Sequence, residues 1–390
     1  MGYSKFVGFR KAMNESIKKR RILFLFAHLH KGGMQRAVSN ISTALPPNFE
    51  QHVGFFGTED PPFEYNAVLH NFHVPGSIKF GPFRKIKNLY SRLSKLRKFV
   101  KENRIAVVIS FGEAANLLNV LSFNSAYTIL SIRSSIGGYG DIDIYSRVYR
   151  GVIRWLYPFA DAIVAVSYDL KMQIEKILIN IRPVYQIPNL YHLDLIKKLS
   201  MVNLPMENSF LNESNFLLNV GSLISEKGQD ILIKAFAKVS DRFPELLLVL
   251  IGSGPERERF ISESERMGVR DRVVMIDFDS NPYRYMKTAT IFVLPSLTEG
   301  FPNVLVEAMA CGCPTIAFDC QTGPREILGN SQYGELVEDI REVELAERID
   351  KLLSSPDRLA HLKEQSLIRA AHYDANVVID RWTHILEGHS

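Results

Sequence analysis

Short apolar runs alternate with helical patterns in two successive series, and this alternation limits the fold more than any other feature. Buried-strand patterns of the first series lie at 21–27, 105–110, 126–132, 161–166 and 184–189. Those of the second series lie at 216–222, 245–252, 272–277, 290–295 and 314–318. Strands that alternate with helices build parallel sheets with both faces covered. The sequence therefore predicts an α/β protein with two doubly wound, Rossmann-like domains that face each other across a ligand-binding cleft.

A polar and irregular stretch separates the two series. Residues 191–214 contain Pro205 and no clear periodicity, so we interpret them as a linker. The first domain is then expected at 1–190 and the second at 215–370. The chain has 390 residues, a length that favours two domains. A helical pattern within 371–390 is expected to pack back on the first domain.

The segment 299–314, EGFPNVLVEAMACGCP, keeps one carboxylate within an apolar stretch. Pro302 suits the first turn of a helix, and a glycine and a proline shortly after Cys311 suit its end, so we predict a helix over 302–311. Its faces are nearly all apolar, so Glu307 is expected near the interior, where it needs hydrogen-bond donors. A vicinal diol would supply two donors. A structural salt bridge or a capping contact is the alternative.

A second carboxylate, Glu299, stands just before this helix. It lies in the loop after the strand at 290–295, at the edge of a parallel sheet where ligands bind. The N–H groups of Asn303, Val304 and Leu305 open the helix and favour an anion. The loop thus offers a carboxylate, an anion-binding helix start and a deeper carboxylate. A sugar nucleotide needs that order of groups for its sugar hydroxyls, diphosphate and ribose.

The E-x7-E pair, in the frame LPSLTEGFPNVLVEAMACGCP, resembles the retaining family 4 glycosyltransferases of the GT-B fold. Further segments resemble family elements in the same order: KGGMQR (31–36), YPFADAIVAVS (157–167), QIPN (186–189), GSLISEKGQD (221–230), LVLIGSGPER (248–257) and CQTGPREIL (320–328). The resemblance implies a hexosyl or N-acetylhexosaminyl glycosyltransferase. We expect its donor to be a nucleotide-sugar, specifically a UDP-sugar. We expect its acceptor to be a glycan or lipid-linked saccharide in bacterial polysaccharide or oligosaccharide synthesis, such as O-antigen, lipopolysaccharide or capsule.

The resemblance also implies roles for individual residues on the donor side. Glu299 would bind hydroxyls of the donor sugar and help to orient its anomeric carbon. Lys227 would neutralise the diphosphate together with the helix start at 303–305, and Glu307 would hold the ribose. Glu299 and Lys227 are therefore the predicted catalytic residues.

The same resemblance assigns backbone roles and acceptor-side candidates. Gly32 and Gly33 would let backbone N–H groups approach phosphate, and the main chain near Phe278 would meet the base. Gly252, with Gly254, would shape the turn beside the nucleotide. The acceptor-side candidates are Arg133, His28 and His30, although a histidine at a strand end is also common as a plain polar loop residue.

Two positions depart from the family pattern. Ser222, which we place among the donor-binding residues, stands where the family usually has an arginine that contacts the diphosphate. Arg257 or Arg325 could supply that cation instead. The family often has a Glu-His or Arg-Asn pair after the middle strand of the first domain, and Arg133 fits one variant whereas Ser134 does not.

No carboxylate in the sequence is an obvious nucleophile, so we expect the acceptor to attack on the face that the nucleotide leaves. Positioning and stabilisation of the leaving-group charge would then supply catalysis. Two Asp-x-Asp triplets, at 141–143 and 277–279, could suggest a metal site. The leaving group already has a lysine and a helix terminus, so we expect neither a metal nor a cofactor.

The positive charge of the chain is concentrated in its first part. The net charge is +5, but residues 1–110 hold 19 Lys+Arg and 6 Asp+Glu. Nine of these cations lie within 80–104, where apolar residues recur at helical spacing. One interpretation is a helix that packs its apolar stripe on the first sheet and exposes its basic face. That interpretation leaves the cations unexplained, so we also expect this segment to contact an anionic membrane surface.

Composition limits the location and the alternatives. No apolar run reaches the length of about 18 residues that a membrane span needs, and the basic N-terminus lacks a signal-peptide core, so we expect a cytoplasmic protein held at the inner face of the plasma membrane. The cysteines Cys311, Cys313 and Cys320 are expected to be reduced and buried. No nucleic-acid motif is present, so we expect no nucleic-acid partner.

The alternatives to a glycosyltransferase are a GT-B sugar-nucleotide epimerase and a non-catalytic partner subunit. Ser222, in place of the arginine that is usual in the family, keeps the partner-subunit alternative open.

Overall fold

Two parallel β-sheets organise the chain. The computed structural model describes residues 19–29, 32–57, 63–74, 82–136, 144–179 and 181–388. Strands of the first sheet are β1 (Arg20–Phe26), β2 (Phe49–Phe55), β3 (Val68–Asn71), β4 (Val107–Phe111), β5 (Tyr127–Ile132), β6 (Ala162–Ala165) and β7 (Val184–Gln186). Strands of the second sheet are β8 (Phe216–Val220), β9 (Leu247–Ile251), β10 (Val273–Ile276), β11 (Ile291–Leu294), β12 (Thr315–Phe318) and β13 (Glu335–Val337).

Both sheets have the strand order of a doubly wound fold. The first runs β3-β2-β1-β4-β5-β6-β7 and the second β10-β9-β8-β11-β12-β13, with parallel pairing throughout the described strands. In each sheet the order reverses beside the first strand, at β1 and at β8. Loops at the carboxyl ends of these strands diverge there and leave a crevice. The predicted α/β architecture with two doubly wound sheets is confirmed.

Helices connect the strands and cover both sheets. In the first half they are α1 (Gly33–Ala44), α2 (Pro82–Glu102), α3 (Glu113–Ser122), α4 (Ile144–Leu156), α5 (Tyr168–Leu178) and α6 (Leu193–Ser200). In the second half they are α7 (Gln229–Ser240), α8 (Arg257–Arg266), α9 (Tyr283–Thr288), α10 (Asn303–Ala310), α11 (Pro324–Leu328), α12 (Glu342–Leu353), α13 (Pro356–Ala371) and α14 (Ala375–Glu387). Short 3-10 helices lie at Tyr157–Phe159, Met206–Glu213, Ser225–Lys227 and Arg270–Arg272.

The segment between the sheets is more ordered than the sequence suggested. We expected 191–214 to be irregular, but it contains α6 and the 3-10 helix Met206–Glu213. The helix α6 contacts α9 and α10 of the second half. Its Ile196 is buried, so the segment is held by packing rather than by a strong local pattern.

The last helix, α14, packs against the first sheet. Val378, Trp382 and Leu386 are fully buried in the same apolar cluster as residues of β1 and β4. The indole of Trp382 lies 6.4 Å from the ring of Phe111. The chain therefore crosses from the first half to the second and then returns.

The basic helix α2 differs from one of our expectations. Leu96 and Val100, toward its end, are buried against the sheet, but Phe83, Ile86 and Tyr90, toward its start, are 89%, 67% and 72% exposed. The helix has 21 residues and a length of about 30 Å, whereas the strands that it covers have four to seven residues. The expectation that the whole apolar stripe packs on the sheet is therefore wrong, because the helix extends beyond it.

Two further expectations concern the state of the cysteines and the length of the helices. Cys311, Cys313 and Cys320 are free and buried, as predicted, and burial raises the pKa of the Cys313 and Cys320 thiols to about 12. Across the described ranges, no helix has both the length and the apolar character that spanning a bilayer requires.

Candidate active site

A cavity of about 350 Å³ lies between the two halves, within the size range of small-molecule sites. From the second half it is lined chiefly by strand ends and loops: Asn219–Ser222, Lys227, Gln229, Leu294, Ser296 and Glu299–Val304. From the first half it is lined by Gly33, Met34, Arg133, Ser134 and Asn189. The structure therefore brings Glu299, Lys227, Ser222, Gly33, Asn303, Val304 and Arg133 of the predicted site to one cavity.

Glu299 and Lys227 form an ion pair in this cavity. The Lys227 Nζ lies 2.6 Å from Glu299 Oε1, and the side chains are 28% and 11% exposed. Lys227 ends a 3-10 turn, after which Gly228 adopts a φ of +66°. A Cβ at Gly228 would collide with the carbonyl oxygen of Pro295, so glycine permits the close approach that sets Lys227 beside Glu299.

Asn303 ties the start of α10 to the first half of the chain. Its Oδ1 accepts hydrogen bonds from Asn189 Nδ2 at 2.6 Å and from the Tyr191 hydroxyl at 2.7 Å. Its Nδ2 donates to the carbonyl of Gly33 at 3.1 Å. Asn303 and Val304 also line the cavity, so the positive end of the helix dipole lies at its wall where both halves meet.

The expectation of three free amides at this helix start is wrong for Leu305. Its N–H donates to the carbonyl of Pro302 at 3.1 Å, and the side chain is fully buried. Asn303 and Val304 line the cavity. They are the amides of the first turn that can approach an anion.

Glu307 is buried and pairs with an arginine of the first half. It is 2% exposed, and its Oε1 lies 3.3 Å from Arg36 Nη1. Glu307 raises the pKa of Arg36, which also donates to the Tyr283 hydroxyl. Among the described residues, Glu307 Oε2 has no hydrogen-bond partner. The salt bridge that the sequence left open as an alternative is therefore present, and Glu307 lies outside the set of cavity-lining residues.

Arg133 is a half-buried guanidinium that lines the cavity. It donates through Nη1 to Asn189 Oδ1 and through Nε to Ser131 Oγ at 3.2 Å. Its guanidinium carbon lies 5.4 Å from the centre of the Phe111 ring. Burial lowers the pKa of Arg133 to about 10. Its carbonyl oxygen lies so close to Gly300 that a Cβ there would collide with it.

Other predicted site residues lie at the margin of the cavity or outside it. Ser222 is exposed and lines the cavity. Gly252 has a φ of +154° and packs against the Gly221 carbonyl, so it shapes the turn without lining the cavity. Phe278 is 60% exposed, and His28 is exposed; neither belongs to the lining set. Gly32 precedes α1 beside the lining residue Gly33. His30 falls outside the described residues.

Arg257 and Arg325, the candidates for the cation missing at Ser222, form ion pairs outside the cavity. Arg257 Nε lies 3.5 Å from Asp277 Oδ1. Arg325 pairs with Asp319 and Glu338, and neither arginine lines the cavity. Neither arginine therefore takes the place of the missing cation at the cavity.

The second Asp-x-Asp triplet is also engaged by arginines. Asp279 Oδ2 lies 2.6 Å from Arg284 Nη2, and Asp277 faces Arg257. The first triplet, 141–143, falls outside the described residues. Within the described ranges, no group of three or more metal-ligand side chains is assembled.

Sequence reasoning missed several polar residues at the cavity. Asn219 is 3% exposed, and its Nδ2 donates to the Val293 carbonyl at 2.9 Å, which joins β8 to the end of β11. Gln229 is fully buried and donates to the Ser222 carbonyl at 3.0 Å. Asn219 interrupts the apolar strand FLLNV near its carboxyl end. A polar residue at that end of a parallel strand indicates a ligand site, and this was the signal in the sequence.

Comparison with known proteins identifies two matching families along the chain. Residues 31–195 match Glycosyltransferase Family 4, and residues 204–368 match Glycosyl transferases group 1. Together these matches include every strand of both sheets except β1, and every residue that lines the cavity.

Individual relatives agree with these matches. An uncharacterized glycosyltransferase of Methanocaldococcus jannaschii is 27% identical over 350 residues, which cover 79% of this chain and 84% of the relative. The N-acetylgalactosamine-N,N'-diacetylbacillosaminyl-diphospho-undecaprenol 4-alpha-N-acetylgalactosaminyltransferase of Campylobacter jejuni is 28% identical over 230 residues, 59% of this chain and 60% of the relative.

A solved structure shows the same architecture over nearly the whole chain. Anabaena HepE in complex with UDP superposes with a TM-score of 0.74 at 19% identity, and the alignment covers 94% of this chain and all of that one. This likeness establishes the fold and confirms the prediction of GT-B architecture. The two family matches, which together cover most of the chain, show that it is a glycosyltransferase of the family 4 type.

Proposed function

We propose that this glycosyltransferase moves a hexosyl or N-acetylhexosaminyl group from a UDP-sugar to a saccharide acceptor, with retention of the anomeric configuration. The observation that carries the proposal is the pairing of Lys227 with Glu299 in the cleft between two doubly wound domains. A carboxylate that can bind sugar hydroxyls and a cation that can bind phosphate stand side by side there. Anabaena HepE has been solved with UDP, which supports the choice of uridine nucleotide.

Each site residue has a role under this proposal. Glu299 accepts hydrogen bonds from the donor sugar, and Lys227 binds the diphosphate beside the amides of Asn303 and Val304. Gly33 leaves room at the opposite wall, since a Cβ there would approach the Asn303 side chain to 2.9 Å. Ribose binding by Glu307 requires the diol to donate to Oε2, the oxygen that lacks a partner among the described residues.

The proposed chemistry uses the departing diphosphate as the base. The acceptor hydroxyl oxygen attacks the anomeric carbon on the face that the diphosphate leaves. The bond from that carbon to the diphosphate oxygen breaks as the new glycosidic bond forms, and the hydroxyl proton passes to the departing oxygen. Lys227 and the dipole of α10 stabilise the charge of the leaving group. Glu299 is held 2.6 Å from Lys227, which favours a role in positioning over one as a nucleophile.

We propose that this reaction needs no metal ion or cofactor. Lys227 and the start of α10 provide positive charge where the diphosphate would bind. The aspartates of the triplet at 277–279 already face arginines. Addition of a chelator is therefore expected to leave the transfer rate unchanged.

We propose that the acceptor is a lipid-linked saccharide at the inner face of the plasma membrane. The Campylobacter relative acts, by its name, on a diphospho-undecaprenol substrate. The helix α2 combines exposed apolar side chains at 83, 86 and 90 with a run of lysines and arginines. Such a surface binds anionic lipid through apolar insertion and charge together.

Calorimetric titration of the purified protein with UDP-, GDP- and ADP-sugars tests the proposal, with Glu299→Ala and Lys227→Ala as variants. We expect selective binding of one UDP-sugar that both variants weaken by about tenfold or more, because each removes a charged hydrogen-bond partner. Arg242→Ala, which removes a surface ion pair with Asp350, is the matched control. Donor turnover without an acceptor would favour the epimerase, and no binding of any sugar nucleotide would favour a non-catalytic subunit.

A further inference from the structure

The charges that line the cavity do not balance. The lining set holds two cations, Lys227 and Arg133, and one carboxylate, Glu299. Lys227 is committed to Glu299 at 2.6 Å. Arg133 forms no ion pair with any carboxylate of the described residues, and its Nη2 is a buried donor without an acceptor there. A half-buried guanidinium with one buried N–H group and no anion beside it is costly, so the site favours a negatively charged ligand.

Neutral groups hold Arg133 in place. Asn189 Oδ1 and Ser131 Oγ accept its hydrogen bonds, and the Phe111 ring lies under the guanidinium. These contacts fix the position of the guanidinium without neutralising it. Such an arrangement is pre-organised for an anion, because little side-chain freedom remains to be lost on binding.

Arg133 lies next to the loop of the second domain that carries Glu299 and Gly300. Asn189, which accepts from Arg133, donates in turn to Asn303 at the start of α10. The carbonyl of Arg133 lies against Gly300, the neighbour of Glu299. The guanidinium and the helix start are thus joined by one shared side chain, and both face the same cavity.

From this geometry we propose that Arg133 binds the diphosphate of the donor, as the second cation opposite Lys227. The inference rests on the proposed function and reassigns Arg133 from the acceptor side to the donor side. It explains how a serine is tolerated at 222, since Arg257 and Arg325 are engaged elsewhere. Because Arg133 belongs to the first domain and Lys227 to the second, the diphosphate would bridge the domains.

Calorimetry with UDP, UMP and pyrophosphate tests the inference on the wild type, Arg133→Gln and Arg133→Lys. We expect Arg133→Gln to weaken UDP and pyrophosphate about 10- to 100-fold, the size of a lost hydrogen bond to a charged group. The affinity for UMP should fall less, so the preference for UDP over UMP should shrink. Arg133→Lys keeps the charge but not the planar guanidinium, so its affinity for UDP should lie between those of the wild type and Arg133→Gln. Arg257→Gln and Arg325→Gln are matched controls that should bind UDP like the wild type.

The outcomes separate this inference from the proposed function. Unchanged UDP binding in a folded Arg133→Gln variant, with a raised KM for acceptor, would return Arg133 to the acceptor side and overturn the inference. Pyrophosphate binding that depends on Arg133 without any UDP binding would sustain the inference and reject the proposed donor. Failure of the wild type to bind either ligand would reject both. Thermal unfolding without ligand checks each variant, and Arg133→Lys decides the question should Arg133→Gln fail to fold.

Discussion

Arg36 and Glu307 lie on opposite halves of the chain, and their side chains meet at 3.3 Å between the domains. Arg36 extends from the first turns of α1, and Glu307 stands in the middle of the buried helix α10. Arg36 also contacts Tyr283, both through the hydroxyl and across the ring face. The contact therefore links α1 of the first half to α10 of the second, the helix whose first residues line the cavity.

Loss of this contact should cost stability. We expect Arg36→Met to lower the free energy of unfolding by about 2 kcal/mol, because it leaves the Glu307 carboxylate buried without a cation. The double variant Arg36→Met with Glu307→Gln should recover part of that loss, since no buried charge remains. Urea denaturation measures both. Arg242→Met, which breaks the surface pair with Asp350, should cost no more than about 0.5 kcal/mol, and an equal cost at the two arginines would contradict the argument.

Gly300 should tolerate no side chain. A Cβ at this position would collide with the carbonyl oxygen of Arg133 on the facing domain. We expect Gly300→Ala to push the domains apart and to reduce the transfer rate by about tenfold or more, since a misplacement of about 1 Å can cost about 100-fold in rate. Gly151→Ala is the control, because its Cβ would meet nothing within 4 Å and lies in the helix α4. That variant should gain up to about 1 kcal/mol of stability and keep full activity.

Two adjacent histidines should make the first domain sensitive to mild acid. His52 Nδ1 lies 3.0 Å from His70 Nε2. Burial lowers the pKa of His52; Glu50 acts in the opposite direction, and Arg21 lowers the pKa by a smaller amount. Burial also lowers the pKa of His70, and the neighbouring His52 lowers it further. The folded protein therefore binds these protons less readily than the unfolded chain, whose histidines titrate near about 6.5.

The direction of the effect follows from that difference. The contribution to stability is complete above about pH 6.5 and is lost as the pH falls below that value toward the folded-state pKa. We expect a loss on the order of 1 kcal/mol between pH 7 and pH 5, seen in urea denaturation series. The double variant His52→Gln with His70→Gln should show a flatter dependence over that interval. An identical slope in wild type and variant would assign the effect to other groups.

The exposed start of α2 should bind membranes. Phe83, Ile86 and Tyr90 project from a helix that is rich in lysine and arginine. We expect the triple replacement by serine to reduce binding to vesicles that contain anionic lipid by about tenfold or more, because each large apolar side chain gains roughly 1.5–3 kcal/mol on burial. Flotation with vesicles measures the binding. Met206→Ser, at a residue that is 92% exposed elsewhere, is the control. Equal binding to neutral and anionic vesicles would remove the role of charge.

The parts of the fold that the sequence predicted are those with strong local patterns. Apolar runs such as RILFLF and LLVLI mark strands because both faces of a parallel sheet are buried. The strand β2 escaped prediction because Gln51 and His52 interrupt its apolar character, although both are buried in the structure. The helix α6 escaped it because its packing partners, α9 and α10, lie far along the chain.

The site shows the same division. Glu299 and Lys227 belong to motifs that can be recognised locally, and the structure brings them together. The pairing of Arg36 with Glu307, and of Asn189 and Tyr191 with Asn303, depends on the approach of two domains. No local pattern encodes that approach. An arginine near the start of a helix and an asparagine after a strand are ordinary in sequence, and only the closed cleft gives them partners.

The return of α14 to the first sheet affects the order in which the chain can fold during synthesis. Residues of α14, among them Trp382 and Leu386, complete an apolar cluster whose other buried members come from the first half. Because synthesis runs from the N-terminus, that cluster stays open on one side until α14 emerges from the ribosome. The half that is made before the other is thus sealed only after the other has emerged. A chain that stops short of residue 375 would carry an exposed apolar face, a ready target for chaperones and proteases.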